Sequence, residues 1–352
     1  MKDKKYIFNV LFLIILIAGT GYFLLRDQEI TDIIKYIKQA DKRYLLLGFA
    51  LVMVFVSFES VIIHYLMRSL SYAISFIHCL KYSFIGFFVS AITPSATGGQ
   101  PAQLYYMSGD GISMAVSSLV LMVVTVAYKL VLLVLGLLMM ILKFDFVMEH
   151  VSNIALIMIY GVLVNIIVIG FLLIVIFKQS FAKKCIGKFI LFLGKTRILK
   201  NHKNILKKVI KSISKYEASA VYLKTHKMVF FNVFAITFIQ RVAYFAVTYA
   251  VYKAFGLSGY SALEIIILQL IISIAVDNLP LPGGIGASEG IFMIFFKEIF
   301  TTTYITAGLL LSRGLSYYLI IIMGGIVMAF AQITRKKRVL EVCPDTNTTK
   351  NK

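Results

Sequence analysis

The chain has 352 residues, 60% of them hydrophobic and 15% charged, with a mean hydropathy of +0.88. These values lie far from those of soluble domains and read as a polytopic membrane protein. The formal charge of +20 sits between and after the apolar runs, where cytoplasmic loops and anionic lipid account for it. The expected partner is therefore lipid and not nucleic acid.

The opening MKDKK leads into the apolar run Tyr6–Leu25, which is long and lacks a small-residue cleavage site, so it reads as an uncleaved first span. Further runs at or above the roughly 20 residues a crossing helix needs are Tyr44–Leu66, Ser113–Leu142, Val151–Phe177, Met228–Phe255 and Tyr304–Gln332. Before the second run, Asp27–Arg43 carries Ile30, Ile33, Ile34 and Ile37 at helical spacing. It reads equally as an amphipathic helix on the outer surface or as a solvated connection.

Orientation follows from Lys and Arg. Lys2, Lys4 and Lys5 precede the first run, fourteen Lys/Arg against Glu217 fill Lys178–Lys227, and Arg335, Lys336, Lys337 and Arg338 follow the last run. All three segments are expected in the cytoplasm. Parity then leaves Lys81–Asp110 and Ser261–Thr303 each entering and leaving on one side, the first from the inside and the second from the outside. The expected fold is an all-α polytopic membrane protein with six full spans and two opposed re-entrant helical hairpins, in the manner of an inverted repeat. A count of up to ten full crossings keeps the same ends inside and stands as the other reading. The organisation is a first membrane half over 1–177 with its hairpin at 81–110, and a basic cytoplasmic loop over 178–227 whose helices lie on the inner-leaflet lipid. A second half over 228–334 has its hairpin at 261–303, and a basic, then disordered, tail covers 335–352.

Each hairpin contains a break. The first is ITPSATGGQPAQ (Ile92–Gln103) and the second VDNLPLPGGIGASEGIFMIFF (Val276–Phe296). Irregular backbone at membrane depth must be buried in protein or line a wet or ligand-filled cavity, so the breaks mark a candidate site. Around them stand six ionisable residues inside apolar runs: Glu59, Lys129, Arg241, Asp277, Glu289 and Arg313. A charge at a helix centre costs about 2.5–3.5 kcal/mol on the insertion scale, so each needs a partner or a purpose.

Two readings stand side by side. In the structural one, Arg241 or Arg313 pairs with Asp277, Glu289 or Glu59 and fixes helix packing. In the functional one, Lys129, Arg241 and Arg313 face a cavity and hold a lipid phosphate. Gly283, Gly284 and Gly286 then let backbone approach the ligand after Pro280 and Pro282, and the helix starting near Ala287–Ser288 aims its free N–H groups at it. Gly98, Gly99 and Gln100, with Pro101 opening a helix, do the same from the other side; alternatively these glycines serve only tight turns and close helix packing. Asp277 and Glu289 are also candidate proton carriers. His64 and His78 lack a second ligand at metal spacing, Cys79, Cys185 and Cys343 lie far apart, and no nucleotide-binding or hydrolase motif stands in a supporting context. Neither a metal nor a cofactor is expected, and no residue announces catalysis.

GGQPAQLYYM after the TPSAT turn, and LPLPGGIGASEG with a basic loop between them, resemble the lysylphosphatidylglycerol synthase transmembrane-domain family, the flippase-like domain, over roughly residues 5–335. The second motif, Pro280, Pro282, Gly283, Gly284, Gly286 and Glu289, is the more specific. The resemblance implies a bacterial cytoplasmic-membrane protein that handles an anionic, aminoacylated or glycosylated lipid. In the two-part multiple peptide resistance factors this membrane part is similar to a lipid flippase. A separate cytoplasmic domain there moves lysine from lysyl-tRNA onto phosphatidylglycerol. The sequence ends at Lys352 without that domain, so lysyltransferase activity is expected only with a separate transferase partner. A membrane scaffold or regulator and a homo-oligomer are the remaining expectations.

Overall fold

The computed structural model describes residues 30–178 and 219–342, with the backbone alone at Ile30 and 335–342. The expected first span Tyr6–Leu25, most of the basic loop and the end of the tail lie outside the described residues. Within them the protein is entirely helical, with 12 α-helices and one π-helical turn. In chain order these are α1 (Ile30–Gln39), α2 (Lys42–Ser69), α3 (Phe76–Ala91), α4 (Gly99–Gly109), α5 (Met114–Leu142), α6 (Phe144–Ser152) and α7 (Ala155–Phe177). After the basic loop come α8 (Lys227–Ala254), α9 (Ala262–Val276), α10 (Ala287–Phe296), α11 (Thr301–Arg313), the π turn (Gly314–Tyr318) and α12 (Leu319–Val342).

Five stretches are long and apolar enough to cross a membrane: Lys42–Ser69, Met114–Leu142, Ala155–Phe177, Lys227–Ala254 and Thr301–Thr334. The protein is thus a multi-pass membrane protein. Helix ends follow local chemistry. Asp41 caps α2 by accepting from the Arg43 backbone N–H at 2.8 Å, and Ser261 and Glu264 form a reciprocal capping box at the start of α9. The apolar run expected to begin at Val151 starts its long helix only at Ala155. Ser152 Oγ and Asn153 Nδ2 both donate to the Glu149 carbonyl, and such local bonds compete with helix continuation. The last run is interrupted by the π turn, for which the sequence holds no proline signal.

Two large apolar cores each draw residues from both halves of the chain. One groups Ile62, Leu66, Tyr82, Met107, Leu119 and Val123. The other groups Leu132, Phe245, Leu268, Ile271, Phe292 and Phe296, and a smaller cluster around Phe55, Phe84, Val247 and Ile320 joins them. The most extensive helix contact is α2 on α8. Asp41 N–H donates to the Ala254 carbonyl at 2.8 Å, so the start of one helix meets the end of the other and the two run antiparallel.

α3 and α4 fold back on one another, as do α9 and α10. The first pair is tied at one end of the bundle, where Asp110 takes Lys81 Nζ at 2.6 Å and Tyr82 Oη at 2.5 Å. The second is tied at the other end, where Lys143 at the C-terminus of α5 reaches Glu264 at 3.3 Å. α3 is covered by α12 and α9 by α7. Both crossings are close: a Cβ on Gly324 would sit 2.6 Å from the Phe84 carbonyl oxygen, and one on Gly161 would meet the Ile274 carbonyl. In lipid, where burial of apolar surface does not drive helices together, such backbone approach is what holds them.

Candidate functional site

The two breaks meet. Pro94 and Pro282 form an isolated antiparallel bridge, Ser95 Oγ donates to the Leu279 carbonyl at 3.1 Å, and Tyr317 Oη donates to the Ala91 carbonyl at 2.9 Å. They also share one backbone design. Ala96 N–H reaches the Thr93 carbonyl and Thr97 N–H the Pro94 carbonyl, as Gly284 N–H reaches Leu281 and Ile285 N–H reaches Pro282. After each proline two residues take left-handed φ: Ser95 at 49° and Ala96 at 54°, Gly283 at 58° and Gly284 at 67°. The register that pairs Pro94 with Pro282 also pairs Gly99, first residue of α4, with Ala287, first residue of α10.

That register extends to how each break is anchored. Gln100 Nε2 donates to Thr125 Oγ1 of α5. At the matching place in the second half, Arg313 of α11 grips Glu289, with Nε and Nη2 each 2.6 Å from Oε1. Arg313 also donates to the Gly283 carbonyl at 3.2 Å. The second Glu289 oxygen, Oε2, accepts from Gly286 N–H at 2.7 Å and Ser288 Oγ at 3.2 Å. Glu289 therefore caps α10 and neutralises Arg313 at once. The π turn carries the Tyr317 ring over Gly283, where a Cβ would collide with it; π turns recur at functional sites because they shift one side chain out of helical register.

Lys129 and Arg241 are placed differently. Lys129, 8% exposed, donates to Asn165 Oδ1 of α7 and to Asn278 Oδ1 of the second break, both at 2.9 Å. Asn278 Nδ2 donates to Asn165 Oδ1 at 3.2 Å, and Tyr160 Oη to the Asn278 carbonyl at 3.2 Å. Arg241 lies between two rings, its Cζ 3.7 Å from the centroid of Tyr128 and 5.0 Å from that of Phe55. Its Nε is buried without a hydrogen-bond partner, and among the described residues neither cation forms an ion pair. The charge of Arg241 acts on Lys129. Cation–π contacts contribute about 0.5–2 kcal/mol each and leave the charge uncancelled.

The candidate residues thus divide. Arg313, Glu289, Gly283, Gly284, Gly286 and Pro282 build and lock the second break, with Pro280 exposed beside it. Gly98, whose N–H donates to Thr93 Oγ1 at 3.0 Å, and Gly99, packed on Ser90, build the first. Lys129 and Arg241 converge on Tyr128, and Gln100 reaches the same face of α5 one turn earlier through Thr125. Asp277 sits beside Asn278 with Oδ2 buried and unpartnered. Glu59 accepts from Gln240 Nε2 at 3.0 Å.

Sequence reasoning missed Asn165, Asn278, Gln240, Tyr128 and Tyr317. Asn165 had a signal: it is the one amide side chain within ALIMIYGVLVNIIVIGFLLIVIF. Tyr317 had none, because its position depends on the π turn.

A membrane protein from Methanothermobacter thermautotrophicus, described as "UPF0104 membrane protein", is 25% identical to this chain over 339 residues, covering 92% of this chain and 94% of its own length. Residues 9–324, spanning both breaks and the helices that carry Lys129, Arg241 and Arg313, match the family described as "Lysylphosphatidylglycerol synthase TM region". The chain belongs to the lysylphosphatidylglycerol synthase transmembrane-region family.

Proposed function

We propose that this protein binds the phosphate of a phospholipid, anionic or aminoacylated, between Lys129 and Arg241 and moves the lipid between leaflets as a flippase. The observation that carries this reading is a pair of neighbouring cations, Lys129 buried and Arg241 partly buried, neither in an ion pair among the described residues, beside the meeting point of two broken hairpins. Two like charges at membrane depth cost several kcal/mol unless an anion joins them. A phosphodiester supplies that anion, accepting from the lysine as a point charge and from the guanidinium through its remaining N–H groups. Tyr128 and Phe55 hold the guanidinium in place before the ligand arrives, and Asn165 and Asn278 do the same for the ammonium.

In this reading the hairpins are re-entrant. The membrane is the bacterial cytoplasmic membrane, and both termini are cytoplasmic, as the basic segments demand. Native mass spectrometry of the purified protein tests the site. Wild type is expected to retain an anionic or aminoacylated lipid that the Lys129→Gln, Arg241→Gln double variant loses. In liposomes, wild type accelerates translocation of labelled phosphatidylglycerol and the variant does not. An unselective lipid profile, unchanged by the variant, would favour a membrane scaffold instead. The word synthase in the family's description supports a second reading, transfer of lysine to phosphatidylglycerol with a partner. Lysyl-lipid appearing in cells that express only this chain would favour it.

A further inference from the structure

Glu59 takes no part in the headgroup site, yet it lies next to it in the seam between α2 and α8. It is 8% exposed, and its hydrogen bond among the described residues comes from a neutral donor: Gln240 Nε2 bridges Glu59 Oε2 and the Phe55 carbonyl, each at 3.0 Å. Arg241 follows Gln240 in the chain and lies over the ring of Phe55, one helical turn before Glu59. The charges of Glu59 and Arg241 act on one another although the two side chains form no ion pair. Other groups facing this seam are Tyr244 on α8 and Tyr128 and Lys129 on α5. α3 presents Ser83 and Phe87 there, and the π turn Leu315, none of them titratable. His64, further along α2, faces Phe76. Arg241 is the charged group that acts on Glu59.

We propose that Glu59 is the proton-binding group of this protein, taking up a proton when a lipid phosphodiester occupies Arg241 and releasing it when the lipid leaves. The proposal rests on the headgroup site proposed above. The Gln240 amide and, beside it, the charge of Arg241 act on the Glu59 carboxylate in this seam; an anion on the guanidinium cancels the field of Arg241 and leaves Glu59 with one neutral amide donor. By linkage the effect is reciprocal: protonation of Glu59 strengthens anion binding by the factor by which binding raises its proton affinity, about tenfold for an ordinary coupling. Lipid and proton then occupy the site together, so a proton gradient can drive the lipid.

The test uses the purified full-length protein in detergent with dioctanoyl phosphatidylglycerol as probe, titrated calorimetrically in buffers of different ionisation heat. Buried carboxylates titrate between about pH 4 and about pH 9, so the series runs from about pH 5 to about pH 9. Wild-type affinity is expected to fall about tenfold with rising pH, with net proton uptake peaking at about half a proton per lipid midway between the two limits. Glu59→Gln, which mimics the protonated acid, is expected to bind at the acidic-limit affinity with a flat profile, while Asp277→Asn keeps the wild-type profile. Binding with a flat profile and no proton uptake in wild type overturns the proton link and leaves the headgroup site standing. pH dependence that survives Glu59→Gln, or vanishes in Asp277→Asn, overturns the assignment to Glu59. If wild type binds at no pH, the headgroup site falls and the link with it. Should Glu59→Gln fail to fold, the wild-type proton count and the Asp277→Asn profile decide.

Discussion

At the scale of single residues, the two breaks share a backbone and differ in the side chains that occupy it. Gly283 and Gly284 hold left-handed φ at no steric cost, whereas Ser95 and Ala96 hold it with a Cβ. A non-glycine residue there costs roughly 1–2 kcal/mol. Ala96→Gly is therefore expected to stabilise the protein by about 1 kcal/mol, less the entropy glycine adds to the unfolded chain. Gly284→Ala, whose new Cβ meets Val276, is expected to destabilise by about 2 kcal/mol or more. Thermal unfolding in detergent should move the midpoint in opposite directions for the two. Glu289→Gln keeps a cap for α10 but leaves Arg313 buried without its counter-charge. Breaking one side of a buried pair costs about 3–5 kcal/mol. A large fall in unfolding midpoint, larger than that of Lys129→Gln, is the expected outcome, because Lys129 has neutral partners and Arg313 has a charged one.

At the scale of elements, each hairpin is fastened at its base as well as at its tip. Asp110, just past the end of α4, fastens the first. Burial works against its charge, but hydrogen bonds from Lys81 and Tyr82 outweigh this and hold the carboxyl below its ordinary value of 3.8. A carboxyl lowered by folding contributes stability that is fully present above its ordinary value. That contribution is lost as pH falls through the lowered one. The difference in melting temperature between wild type and Asp110→Asn is thus expected to be constant from neutral pH to about pH 5 and to shrink below pH 3.8. A difference that grows on acidification would contradict the sign. The anchors at the tips differ between halves in a telling way: Gln100 with Thr125 is neutral, Glu289 with Arg313 is ionic. The second break is therefore locked harder to its following helix than the first, which makes the first hairpin the more readily displaced of the two.

At the scale of the whole molecule, antiparallel α2 and α8 head two similar units whose hairpins are fastened at opposite ends of the bundle. With the proposed orientation, α6 lies outside and the end of α4 inside. In a background with the native cysteines replaced, a membrane-impermeant maleimide added to intact cells should label Asp145→Cys on α6. Ser108→Cys on α4 should label only after permeabilisation. The reverse pattern would invert the molecule and place the basic loop outside, against its charge.

The multi-pass, all-helical character follows from the sequence directly, because long apolar runs must satisfy their backbone internally and only helices do so in one segment. The two breaks were equally legible, since LPLPGG and TPSATGG remove donors and supply turn residues that a helix cannot carry. Which cations are matched was not. Lys129, Arg241 and Arg313 are equivalent as sequence, each a basic residue inside an apolar run. Their separation into one locked pair and two cations held by amides and rings depends on the π turn that aims α11 and on the α2–α8 seam that stacks Phe55 under Arg241. Those are contacts between residues far apart in the chain. Helical periodicity assigns each residue a face but not the partner across it, and that choice was made by tertiary packing alone.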